Sequence, residues 1–182
     1  RAQVNSRCEE PDRIPVGLQV HDQLARLCEL SVKEICTDPY KLIFSQLYGM
    51  KLYGHDNTRA RVDTYNLEAE ACGSRVRFPV NSLPVIFDYA VKNPKDLEQL
   101  RIPDPRKAGR FPVVLEAQSL LLDKVADILP VEIEATAPFS IAANLRGFTN
   151  LIMDIKERPA FVHDLLDFCS DVVTEYVRAQ QK

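Results

Sequence analysis

Val131-Glu-Ile-Glu-Ala-Thr-Ala-Pro-Phe-Ser-Ile-Ala-Ala-Asn144 decides the fold class of this chain. Val131, Ile133 and Ala135 alternate with Glu132 and Glu134, so the stretch opens as a strand with one apolar and one charged face. Ala137-Pro138 then turns the chain directly into a helical region, because proline suits the first helical position, where its missing N–H has no intrahelical partner to lose. A strand that feeds a helix through a tight turn is the building unit of a parallel α/β protein.

The same grammar extends outward in both directions. Residues 14–20 read as a first buried strand, entered through Arg13-Ile14-Pro15. Thr37-Asp38-Pro39 supplies a capping side chain followed by proline, and an apolar stripe of Leu42, Ile43, Leu47 and Met50 runs to Tyr53-Gly54. Residues 58–62 read as a second strand, although Arg59 and Arg61 are unusual in a fully buried one. Residues 63–72 have helical composition, Gly73 stops them, and residues 75–78 alternate as an exposed strand would.

The proline-rich stretch 79–112 reads as a long connection carrying one short helix from Asn93-Pro94. A clear helix is expected over 111–126, with Val114, Leu115, Leu121, Leu122 and Val125 available for burial. Residues 138–155 read as helical with a break at Gly147. Arg158-Pro159 opens a last helix, in which Phe161, Leu165, Phe168, Val172 and Tyr176 recur at helical spacing. The expectation is an α/β chain of about three βα units, a single partial domain over 1–182. That is too few units to close an eight-stranded barrel.

Composition excludes several function classes. A formal net charge of -3 gives no general electrostatic reason to bind nucleic acid or anionic lipid. No apolar run approaches the roughly 20 residues needed to span a bilayer, and residues 1–8 lack the apolar centre of a signal peptide. Cys8, Cys28, Cys36, Cys72 and Cys169 form no CxxC pair and no disulfide framework, so reduced thiols and a cytoplasmic location are expected.

Several blocks, in order, resemble the uroporphyrinogen decarboxylase family, which includes corrinoid-dependent methyltransferases. They are Pro11-Asp-Arg-Ile-Pro-Val16, Lys92-Asn-Pro-Lys-Asp-Leu97 with Ile102-Pro-Asp-Pro105, Arg110-Phe-Pro-Val-Val-Leu-Glu-Ala117, Ala137-Pro138 with Asn144-Leu145-Arg-Gly147, and the block from Leu165 to Tyr176. The resemblance implies the N-terminal part of a TIM-type (β/α)8 barrel. The chain stops at Lys182, roughly where such a barrel would be half built. The expected partners are therefore the remaining half of the barrel or a self-associated copy, beside a small-molecule or corrinoid substrate.

Within that resemblance the departures select a branch. Decarboxylases of the family carry an arginine-containing segment soon after the first Pro-Val, whereas Pro15-Val16 is followed by Gly17-Leu-Gln-Val-His-Asp22. Asn144 stands where they have a tyrosine, and Phe139 where they have a tryptophan. Their catalytic aspartate falls near Asp63-Thr64; counting back from Gly73 puts Thr64 in register and Asp63 one residue off. Four acetate groups on a tetrapyrrole need cationic partners. The resemblance therefore implies a methyltransferase that moves a methyl group between a corrinoid and a thiol or folate-type acceptor. A zinc ion held by a His-x-Cys pair and a further Cys is implied for the complete protein, but none of those ligands maps onto this chain, so no metal or cofactor is expected within it. The alternatives are a uroporphyrinogen decarboxylase-like lyase of porphyrin metabolism and a non-catalytic half-barrel that binds or assembles.

Barrels of this type place chemistry at the C-terminal ends of their strands. His21 and Asp22 follow the first expected strand, Asp63 the second, and Thr136, Asn144 and Arg146 the third, which makes these six the candidate substrate-binding residues. Each also has a structural reading: Asp22 and Asp63 as helix starts, His21 as a solvated ring, Asn144 as a locally satisfied amide, Arg146 as a surface ion pair. The spacing of His21, Cys28 and Cys36 matches no zinc signature. His55 reads as a turn residue and His163 as a surface one. Catalytic residues are not assigned.

Overall fold

The computed structural model describes residues 7–80 and 82–181. Residues 1–6, on which the leader reading partly rests, and the terminal Lys182 lie outside them. The chain divides into two compact units. The first comprises residues 1–62, 80–83 and 113–134, and the second comprises 63–79, 84–112 and 135–182.

In the first unit three helices precede the first strand: α1 (Asp22–Leu27), α2 (Val32–Thr37) and α3 (Pro39–Tyr53). The capping box of α2 is complete, with Ser31 Oγ accepting from Glu34 N at 3.2 Å and Glu34 Oε2 accepting from Ser31 N at 2.9 Å. Asp38 caps α3 as its sequence predicts, accepting from Tyr40 N and Lys41 N. Gly54, at φ 64°, ends it in the left-handed conformation that suits glycine. Leu24, Ala25, Val32, Ile35, Leu42 and Ile43 are buried along these three helices. Leu47 and Met50 are only half-buried.

Strand β1 (Thr58–Arg59) lies parallel to a later strand at Val131–Glu132, with Thr58 opposite Val131 and Arg59 opposite Glu132. The two arginines that looked out of place in a buried strand are neutralised across this ladder. Arg59 pairs with Glu132 at 2.9 Å and with Glu134, while Arg61 donates to the Glu134 carbonyl at 3.1 Å. A carboxylate on the neighbouring strand offsets the desolvation that would otherwise exclude a guanidinium.

Residues 14–20 do not form a strand, contrary to the sequence expectation, and Ile14 is 83% exposed. The segment is tied to a single loop residue instead: Val16 N donates to Asp56 Oδ2 at 2.9 Å, and Asp56 N donates to the Val16 carbonyl at 2.8 Å. Pro15 has no N–H to contribute to a ladder.

In the second unit α4 (Leu67–Ala71) is shorter than the expected 63–72 helix. Asp63 Oδ1 accepts from Tyr65 N and Asn66 N, so residues 63–66 form a turn closed by a side chain that competes with helical bonding. Strand β2 (Arg75–Arg77) pairs antiparallel with β3 (Val85–Asp88), a strand that the prolines around it concealed. A 3₁₀ turn follows at Pro94–Gln99, with Asp96 Oδ2 accepting from Lys92 N and Asn93 N.

Helix α5 (Phe111–Val125) buries Phe111, Val114, Ala117, Leu121 and Val125, whereas Leu122 is exposed. It leads to β4 (Val131–Glu132), the partner of β1. The remaining helices are α6 (Pro138–Arg146), α7 (Phe148–Glu157) and α8 (Pro159–Gln180), with Gly147 breaking the first two apart as expected. Ile141, Ala142, Leu145, Leu151, Val162, Leu165, Cys169 and Val172 form the core of this unit with Ala69, Cys72 and Val91. Phe111 and Tyr176, both fully buried, stack with ring centroids 4.0 Å apart. No helix among the described residues is long and apolar enough to cross a membrane.

Candidate functional site

Residues 63–66 of the second unit hold the densest convergence of site candidates. Asp63, 2% exposed, accepts from Arg110 Nη2 at 2.6 Å through Oδ2 and from Asn66 Nδ2 at 2.9 Å through Oδ1. Thr136 Oγ1 sits 2.8 Å from the Thr64 carbonyl, and Asn144 Nδ2 donates to the Tyr65 carbonyl at 2.6 Å. Asn66 Nδ2 also donates to the Pro84 carbonyl at 2.8 Å. Side chains from four separate parts of the sequence thus fix one four-residue turn.

Thr136 is doubly committed. Its N–H donates to Glu68 Oε1 at 2.8 Å, and its single hydroxyl proton is shared between the Thr64 carbonyl and Glu68 Oε2 at 2.7 Å. This locks the end of the Glu132–Thr136 stretch to the first turn of α4. Arg110 reaches both Asp63 and Glu70, each at 2.6 Å, and its guanidinium lies 5.2 Å from the centroid of the Phe78 ring. Burial pushes the Glu70 carboxyl above its ordinary value, and the Arg110 charge works against that push. Gly109 makes the approach possible. It sits at φ +52°, and a Cβ there would come within 3.1 Å of Ala71 N.

The other candidates lie apart from this turn. Arg146 is not at the surface, as its sequence reading as an exposed ion pair supposed; it is buried, with Nε donating to Asp154 Oδ2 at 2.7 Å and Nη1 to the Lys92 carbonyl at 2.5 Å. Asp154 also accepts from Arg158, and these ion pairs hold its carboxyl below the ordinary value against the opposing effect of burial. His21 and Asp22 belong to the first unit. His21 Nδ1 is 3.0 Å from the Val62 carbonyl, an acceptor only, so Nδ1 carries the proton and Nε2 is the basic nitrogen of the neutral ring. Asp22 begins α1, where its charge complements the helix dipole.

His55 is buried in the loop after α3, and burial together with the Arg59 charge lowers its pKa while Asp56 opposes. His163 is exposed on α8. Among the described residues no three His, Cys, Asp or Glu gather in a way that could hold a metal ion. The donor set of the zinc centre implied by resemblance is thus not assembled by these residues.

Sequence reasoning missed Tyr65, Asn66, Glu68 and Arg110. Glu68 carried a faint signal, as a carboxylate in an otherwise apolar Leu67-Glu-Ala69 run. Nothing local marks Arg110 as the partner of residues some forty positions earlier.

Comparison with known proteins agrees with this framework. The model of the family described as Uroporphyrinogen decarboxylase (URO-D) matches residues 4–182. The chain belongs to the uroporphyrinogen decarboxylase family. It is 28% identical over 163 residues to the methylated-thiol–coenzyme M methyltransferase of Methanosarcina mazei, covering 89% of this chain and 43% of that protein. It is 32% identical over 135 residues to the methylcobamide:CoM methyltransferase MtbA of Methanosarcina acetivorans, covering 72% and 38%. The uroporphyrinogen decarboxylase of Alkalilimnicola ehrlichii shares 27% over 117 residues, or 61% of this chain. The chain spans about two fifths of the length of these methyltransferases. A solved methyltransferase from Methanosarcina mazei superposes with a TM-score of 0.86 at 22% identity, over 98% of this chain and 53% of the other. The fold is therefore the α/β architecture of this family, a partial TIM-type barrel.

Proposed function

We propose that the whole protein is a methyltransferase that moves a methyl group between a corrinoid and a thiol or folate-type acceptor, with this chain forming part of the pocket wall. One observation carries the reading: likeness to methyltransferases extends over 72–89% of the chain, against 61% for the decarboxylase. The missing arginines after Pro15-Val16 point the same way, since a polyanionic tetrapyrrole would lack its cationic partners there.

A methylated corrinoid supplies an electrophilic methyl carbon. The residues described here contribute positioning. Arg110, Thr136 and Asn144 fix the 63–66 turn, so the pocket surface it offers is set before any ligand arrives. The acceptor thiol or amine would be activated by groups other than these.

The test is to incubate the whole protein with methylcobalamin and, in parallel, coenzyme M, a simple thiol and tetrahydrofolate. Methylated product from at least one acceptor is expected. No methylated product from any of the three sinks the reading.

A further inference from the structure

We propose that Tyr65 is a specificity-determining contact residue, its ring forming a wall against which the face of a cyclic tetrapyrrole rests. The inference deepens the reading above, since a corrin is the methyl donor there, but it holds for a porphyrinogen as well.

Two observations combine. The backbone of Tyr65 is among the most firmly held in its unit: Asp63 Oδ1 accepts from its N–H, Asn144 donates to its carbonyl, and the flanking Thr64 and Asn66 are bonded to Thr136, Asp63 and Pro84. Yet the side chain so carefully placed is 60% exposed, and its hydroxyl finds no hydrogen-bond partner among the described residues. A turn fixed to support packing would bury its central side chain. Here the support is buried and the aromatic ring is offered outward.

Such an arrangement suits ligand contact. A tyrosine has few rotatable bonds, so ordering it against a ring costs little entropy, and a rigid backbone lowers that cost further. Beside it, the Asn144 side chain donates through Nδ2 to the Tyr65 carbonyl, while its Oδ1 has no partner among the described residues. Ring face and free acceptor together match the chemistry of a large cyclic tetrapyrrole: broad apolar faces edged by N–H or amide groups. Methylcobamide and uroporphyrinogen, the ligands named for the two kinds of relative, share that chemistry.

The test is calorimetric titration of the protein, and of Tyr65→Phe and Tyr65→Ala, with methylcobalamin and separately with uroporphyrin. Melting of each variant is compared with the parent; an exposed ring is not needed for folding, so equal melting is expected. Tyr65→Phe is expected to bind as the parent does, and Tyr65→Ala about tenfold more weakly, the scale of one aromatic contact. The affected ring identifies the source: methylcobalamin for a corrin, uroporphyrin for a porphyrinogen. Loss confined to uroporphyrin would uphold the contact and overturn methyl transfer. Equal binding by Tyr65→Ala and the parent would overturn the contact and leave methyl transfer standing. A parent that binds neither ring would overturn both, and a loss in Tyr65→Phe as large as in Tyr65→Ala would overturn the ring-face contact in favour of the hydroxyl.

Discussion

Arg110 is the residue on which the 63–66 turn depends. Its guanidinium neutralises Asp63, which is almost wholly buried, and reaches Glu70 as well. Removing one partner of a buried pair leaves the other charge without compensation, which typically costs about 3–5 kcal/mol. Arg110→Ala is therefore expected to lower the unfolding free energy by about that amount in urea titration; a change within the ±0.5 kcal/mol usual for surface substitutions would contradict the placement. The cysteines separate at the same scale. Burial pushes the Cys72 thiol up to about 12 and raises Cys169 further, whereas Cys8 is exposed. In a thiol-reagent assay at pH 8, Cys8 should react in the native protein, and Cys72 and Cys169 only when it unfolds.

Single junctions decide how the helices connect. At the α6–α7–α8 corner Asp154 binds Arg146 and Arg158, and Arg146 carries the link on to the Lys92 carbonyl. Because the Asp154 pKa is depressed in the folded state, the stability it adds is fully present above its unfolded value of about 3.9 and is lost as pH falls through the lower folded value. Asp154→Asn lacks that contribution at every pH. Its stability deficit relative to the parent should thus be largest near neutrality and shrink below about pH 4, as read by denaturant unfolding across pH. At the entry to α5, Gly109→Ala combines a left-handed φ with a close approach to Ala71, and a loss of about 1–2 kcal/mol is expected.

Elements whose signals are local were legible in the sequence. Asp38-Pro39, Gly54, Ala137-Pro138, Gly147 and Pro159 mark helix ends by backbone chemistry alone, and all five helix boundaries stand where they were expected. The failures have a common cause in partners far along the chain. Residues 14–20 have strand composition, but their backbone is claimed by Asp56. Residues 63–66 have helical composition, but Asp63 closes a turn there. Arg59 and Arg61 looked unsuited to a strand until Glu132 and Glu134 were placed beside them. At the candidate site, Asp63, Thr136 and Asn144 were found from their positions after strands; Arg110, which binds the first of them, could be seen only in three dimensions.

For the whole molecule, the family assignment leaves two chemistries that differ in which bond breaks. Methyl transfer consumes a methylated corrinoid and yields a methylated acceptor; decarboxylation consumes uroporphyrinogen and releases carbon dioxide. The departures after Val16, and the wider span of likeness to methyltransferases, favour the first. The most direct measurement gives the whole protein methylcobalamin, coenzyme M and uroporphyrinogen in one mixture and quantifies both methylated thiol and carbon dioxide. The account predicts methylated coenzyme M at a rate above the protein-free control and no carbon dioxide. Carbon dioxide released without methylated thiol would contradict it and make the protein a decarboxylase.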